Sequence, residues 1–293
     1  MKVKNVTVTL ALVCLCAMLW AEPWKYQADI SLSLAQSYYN SDWAGTELSN
    51  INWIANANAS AEKQLSSIMN DKTTLKLAFG QTHTEKTNAA GDNYWEKPQK
   101  TTDNIDLESL LRFTLQAYAD PFVSGRLESQ FLDLSDAAKT RMINPIKLTE
   151  AAGIVRTFFK SDYRSLDSRL GAAFRQNINR DVNTAVPPAV ERKTMTTNDG
   201  GLEFITEYSQ KFMPQDITYK SKLQVYQALF NSKSKTLNDD WKSPDIKWEN
   251  SLSTKLWQVV TLSLLFDMIY EREQVKALQY KEILALGVSY QLF

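Results

Sequence analysis

Apolar and polar residues alternate with period two through most of the chain beyond residue 25. Ala28, Ile30, Leu32 and Leu34 fall on one parity, and Gln27, Asp29, Ser31 and Ser33 fall on the other. Such alternation over five or more residues predicts a strand with one apolar and one polar face. The pattern returns in Ile51, Trp53, Ala55, Ala57, Ala59 and Ala61 against Asn52, Asn56, Asn58, Ser60 and Glu62. Further alternating segments begin near Thr74, Ile105, Val123, Ile146, Leu166, Leu202, Ile217, Ile246, Val260 and Leu284, twelve in all. The sixth, about 146–159, is the least regular, because Glu150 and Arg156 share parity with Leu148 and Ile154. That break predicts a bulge rather than charges on the apolar face.

The connections carry a second alternation. The stretches 40–48, 84–101, 134–145, 177–199, 232–243 and 271–277 are long, whereas 66–71, 118–121, 160–164, 213–216 and 257–258 are short. Antiparallel strands with short turns at one end and long loops at the other are the signature of an outer-membrane barrel, and an even strand number puts both termini on the periplasmic side. The expected fold is therefore an all-β, transmembrane, up-and-down antiparallel β-barrel of about twelve strands.

A soluble two-sheet protein would turn the same apolar faces inward, whereas a membrane barrel turns them to lipid and lines its lumen with the polar set. Segment length favours the barrel, since roughly 9–11 residues cross a bilayer at a tilt while soluble strands average about 5–6. The polar face also carries both signs close together, as in Arg126 with Glu128 and Lys247 with Glu249. Aromatic content of 11%, with eight Trp, gives a third sign. Trp24, Tyr26, Tyr38, Tyr39, Trp43, Phe122, Phe174, Phe212, Phe230, Trp257, Tyr270, Tyr280 and Tyr290 lie near segment ends, where interfacial girdles form.

Residues 1–21 have a different layout. Lys2 and Lys4 precede an apolar run from Val6 to Trp20 that closes on Ala21 before Glu22 and Pro23, as in a secretory signal peptide. Both cysteines, Cys14 and Cys16, fall in this segment, so the expected barrel domain, 22–293, has no thiol and no disulfide. The 33 basic and 33 acidic residues leave no net charge and no basic field for nucleic acid. The expected setting is the outer membrane of a Gram-negative cell, with lipid and lipopolysaccharide as surroundings.

The last ten residues, Leu284–Phe293, read LALGVSYQLF and resemble the terminal strand by which the barrel-insertion machinery recognises its clients. In that pattern the final Phe shares parity with the apolar set; here Leu292 does, and Phe293 follows it. The chain from 22 to 293 also resembles an uncharacterised family of Bacteroidota-type outer-membrane barrels, a domain of unknown function. The resemblance is carried by Ser41-Asp42-Trp43-Ala44-Gly45, by Thr102-Asp103-Asn104 and by Leu278–Phe293. It implies the barrel and its location, and it brings no active site.

Enzyme chemistry finds little support. His83 is the single histidine, which excludes a two-His metal motif. It shares parity with Leu77 and Phe79, where a lipid-facing hydrolase would place its base, with Thr101, Thr102 and Asp103 as nearest candidates across the strand. A non-catalytic interfacial histidine is the better reading. Asp92-Asn93, Asn198-Asp199 and Asp239-Asp240 lack the ligand spacing of a calcium site. No enzyme, cofactor or metal is expected.

The candidate functional residues are the charges predicted to face the lumen. They are Asp106, Glu108, Arg112, Arg126, Glu128, Arg169, Arg175, Glu203, Glu207, Lys220, Lys222, Lys247 and Glu249, with Asp29, Glu62, Lys76, Asp167, Lys255 and Asp267 on the same faces. They can form a channel wall whose charge rows set selectivity, or a plug of salt bridges that closes a narrow barrel. Loop 177–199, containing Pro187-Pro188, can fold inward as a constriction or project as a docking surface. Passive passage of small polar solutes leads, ahead of a plugged structural or docking barrel working through its outer loops, and of a lipid-acting enzyme.

Overall fold

The computed structural model describes residues 23–38, 48–136, 138–184, 189–214, 216–237, 239–273 and 275–292. The segment 1–21, the stretch Ser41-Asp42-Trp43-Ala44-Gly45, Tyr39, Pro187-Pro188 and Phe293 lie outside the described residues. Fifteen strands run in chain order: β1 (Lys25–Ser37), β2 (Asn50–Ser66), β3 (Met69–Thr87), β4 (Asn93–Trp95), β5 (Gln99–Phe113), β6 (Asp120–Ser129), β7 (Leu132–Asp133), β8 (Arg141–Met142), β9 (Ile146–Lys160), β10 (Arg164–Asn183), β11 (Arg192–Phe212), β12 (Ile217–Asn231), β13 (Asp245–Lys255), β14 (Val260–Tyr270) and β15 (Gln279–Gln291).

Twelve of them, all but the short β4, β7 and β8, pair antiparallel in the order β2-β1-β15-β14-β13-β12-β11-β10-β9-β6-β5-β3. The β2–β3 pairing closes the ring, so every edge is satisfied. First and last strands meet, with Asp29 opposite Gln291 and Ser33 opposite Gly287. The twelve barrel strands match the twelve predicted segments.

Side-chain parity divides the wall as the sequence implies. Ile30, Leu32, Val123, Leu170, Leu202, Leu252, Leu286 and Val288 stand exposed on the outside. Water-soluble monomers rarely expose apolar patches beyond a few hundred Å². A closed barrel clad in a continuous apolar band has its complement in lipid, and this is a barrel of the outer-membrane type. Over Ala55 and Ala57 the exterior dips into an apolar groove of about 650 Å³, between Ile30, Leu32 and Tyr290 on one side and Leu77 and Phe79 on the other.

Three expectations differ from the structure. The connection 177–199 is much shorter, because β10 continues to Asn183 and β11 starts at Arg192. Gln176 and Arg180 break the apolar parity there, but the hydrogen-bonded ladder continues past it. In β9 the register shift falls beside Phe158, beyond the two charges it was expected to turn away. Glu150 therefore stays on the outer face between Gly125 and Phe174, and Arg156 lies on the same face, 3.4 Å from the centre of the Tyr118 ring.

The third correction concerns the girdles. Phe122 is 3% exposed and points inward, not to the membrane interface. Its ring covers Gly171, where an added Cβ would come 3.2 Å from it, so the absent side chain makes room for the ring. Trp24, Tyr26, Phe212, Trp257 and Tyr290 do stand exposed near the terminus end, and Tyr38, Phe230 and Tyr280 near the opposite end. The connection after β6 is structured: β7 and β8 form a small hairpin. Asp133 and Arg141 pair at 2.7 Å, and the fully buried Asn144 donates to Asp133 and to Asn179.

Candidate functional site

The interior of the barrel is where the polar faces of twelve strands converge. Parity carries the predicted charges inward, and the geometry then sorts them. The Arg126 side chain of β6 is 3% exposed and pairs with Glu203 of β11 at 2.7 Å. Gln224 of β12 completes the triangle, accepting from Arg126 Nη1 at 2.9 Å and donating to Glu203 at 2.9 Å. Arg169 of β10 pairs with Glu108 of β5. Arg175 of β10 pairs with Asp245 of β13 at 2.8 Å and stacks 3.2 Å over the Tyr226 ring, whose hydroxyl donates to Asp199.

Each of these three ion pairs reaches over two intervening strands of the ring. They are chords across the interior, not neighbours along the wall. Buried charges in this setting are tolerable only because each is paired and hydrogen-bonded. Other pairs are local. Lys247 meets Glu249 at 3.0 Å, Lys222 meets Glu207 at 3.7 Å, and Glu128 has Lys147 at 3.9 Å and Arg126 at 4.0 Å. Arg112 pairs with Asp120 at 2.7 Å and donates to Thr157 at 2.9 Å. Asp106 stands opposite Lys76 and Glu128, and Lys220 stands between Ser209 and Ser251.

Burial is unevenly distributed around the ring. The buried inward side chains of the barrel strands lie on β6, β9, β10, β11 and β12, where Phe122, Ala151, Val155, Ala173, Ile205 and Tyr226 pack beneath the chord ion pairs. The inward residues of β1, β2, β5, β13, β14 and β15 are all at least partly exposed. Asp29 and Lys76 face inward and are exposed, and the Glu207 side chain, on the terminus side of the packed region, is 48% exposed. Near the loop end, Glu128, Lys147, Arg175, Gln224, Asp245, Lys247 and Glu271 surround a cavity of about 150 Å³ with equal numbers of both signs.

Several members of this network fall outside the predicted set: Asp245, Asp120, Lys147, Gln224 and Tyr226. Parity held the signal for most of them, since 245 continues the series 247, 249 and 224 and 226 continue 220, 222. An outer connection that the sequence did not single out leans inward. Trp241, in the 3-10 turn Asp240–Lys242, packs against the buried cluster that includes Tyr226 and Ala228. Asp240 is tied to Arg272 and Lys276 of the next outer connection, each at 2.9 Å.

His83 is not set against the predicted partners. It lies opposite Ile51 of β2, while Thr102 and Asp103 face Gly80 and Phe79, three and four residues away along β3. Asp103 accepts from the backbone N–H groups of Phe131 and Leu132 and pairs with Lys100 at 3.1 Å, a structural role at the barrel rim.

Among solved structures, the COG4313 outer membrane channel from Pseudomonas putida F1 is 13% identical, with 92% of this chain and 96% of that chain covered and a TM-score of 0.45. The translocator domain of autotransporter NalP from Neisseria meningitidis is 8% identical, with 98% and 95% covered and a TM-score of 0.39. The CymD monoaromatic hydrocarbon channel is 10% identical, with 92% and 87% covered and a TM-score of 0.33. No curated protein matches the chain. Residues 34–133 match the family described as Protein of unknown function (DUF3078), in line with the resemblance to an uncharacterised family noted in the sequence.

Proposed function

We propose that the protein is a channel of the Gram-negative outer membrane through which small polar solutes pass passively, with both termini in the periplasm. The observation that carries this reading is solvent access to charged groups inside a closed wall: Asp29, Lys76 and Glu207 face the interior and remain exposed. A barrel plugged at their level would bury them. The near balance of signs inside assigns the channel weak charge selectivity. No enzymatic role is proposed, since the single histidine stands opposite Ile51 and away from Thr102 and Asp103.

Vesicles containing the folded protein are expected to swell in an isosmotic solution of a small sugar faster than protein-free vesicles. Swelling at the protein-free rate, with the barrel shown folded by its heat-dependent gel mobility, contradicts passage. In that event the docking reading takes over. It is favoured by the β7–β8 hairpin, which presents Leu134, Met142 and Ile143 exposed on a scaffold fixed by Asp133, Arg141 and Asn144.

A further inference from the structure

We propose that solutes cross along one side of the lumen only, and that this side selects small uncharged molecules bearing several hydroxyl or amide groups; the proposal rests on the channel reading above. Three independent features of the interior point to it.

The first is the placement of burial. The side chains that fill the interior belong to five consecutive strands of the ring, β6, β9, β10, β11 and β12, and the wall opposite, from β13 through β15, β1 and β2, carries no buried inward residue. The second is the reach of the ion pairs. Arg126 with Glu203 closes within the filled side, while Arg169 with Glu108 and Arg175 with Asp245 brace it against β5 and β13 on its two flanks. Trp241 then leans on the cluster of that same side from the loop end.

The third is chemical. The open wall presents short neutral groups: Ser31, Asn56, Asn58, Ser60, Thr261 and Ser263. They are partly satisfied by one another, as in Asn56 donating to Ser31 at 3.2 Å and Asn58 donating to Asp29 at 3.0 Å. Hydroxyls and amides both donate and accept, so they exchange bonds readily with a solute rich in the same groups. The charges on this wall are offset, with Asp267 paired to Lys281 at 3.1 Å. A net-charged solute gains no counter-field there, and a neutral one loses little on leaving water.

Thiol labelling separates the two walls. With Cys14 and Cys16 replaced by alanine, the chain carries no other cysteine, so each single variant reports one position. In folded protein reconstituted in vesicles, Ser31→Cys and Ser263→Cys are expected to react with a small water-soluble methanethiosulfonate, and Thr149→Cys and Ala173→Cys are expected to stay unmodified over the same time. Labelling at Ser31→Cys or Ser263→Cys should slow vesicle swelling about twofold or more, since a blocked constriction limits the whole path. Equal labelling on both walls, in variants with normal heat-dependent mobility, overturns the one-sided path and leaves the channel reading standing. Absence of labelling at all four positions overturns both. The solute class has its own readout: a neutral polyol should drive swelling faster than an amino-acid anion or cation of similar size, and equal rates would reject that part.

Discussion

The residues that decide the interior are Arg126, Glu203 and Gln224. A guanidinium and a carboxylate, each on a side chain 3% exposed, would be costly alone, and the triangle they form with Gln224 offsets that cost. Removing one partner strands the other. Arg126→Ala is expected to lower stability by about 3–5 kcal/mol, read as the midpoint of denaturant unfolding in lipid vesicles. The double change Arg126→Met with Glu203→Leu should recover most of the loss, because no unpaired charge remains. Additive losses would show instead that the two groups are not coupled. Glu150 makes the complementary point at the surface: on the outer face beside Phe174, near the loop end of the wall, a carboxylate can be held where the bilayer gives way to its headgroups.

At the scale of elements, each strand is defined by its parity, and the apolar parity is tested by placing a charge on it. Leu170 stands exposed on the outer face of β10, with Ile154 and Phe204 as cross-strand neighbours. Leu170→Arg is expected to cost about 2–4 kcal/mol of folding stability in a bilayer, and an unchanged value would mean that this face does not meet hydrocarbon. The β7–β8 hairpin offers a test by pH. Burial alone would raise the Asp133 carboxyl, but hydrogen bonds from the Ser135 backbone and side chain and from Asn144, with the Arg141 charge, hold it below the usual aspartate range. A folded value below the unfolded one of about 3.9 means that the stabilisation is complete above that value and is lost as the pH falls through the folded one. Amide exchange of residues 131–145 should therefore be slow at about pH 5, speed up beyond its intrinsic trend below about pH 3, and lose that extra response in Asp133→Asn.

Legibility in the sequence follows the range of the interaction. Strand identity, inside and outside faces, and the alternation of short and long connections depend on residues close in the chain, so Ile30 against Ser31 or Leu170 against Arg169 could be read directly. The chord pairs could not. Arg126 meets Glu203 only because of strand register and wall curvature, and neither is written in the local pattern. The same limit hid the ends of β10 and β11, where ladder hydrogen bonds extend a strand through residues whose side chains no longer alternate.

For the whole molecule, a ring of twelve strands falls between barrels filled by their own side chains and those that hold an open channel. This barrel combines the two conditions, with one side of its lumen packed and the other accessible. A path that is continuous from end to end along the accessible side conducts ions, and single-channel recording of the folded protein in a planar bilayer reads this out. Reproducible, weakly ion-selective conductance steps are the predicted result. A silent bilayer, from protein whose heat-dependent mobility shows it to be folded, would contradict it.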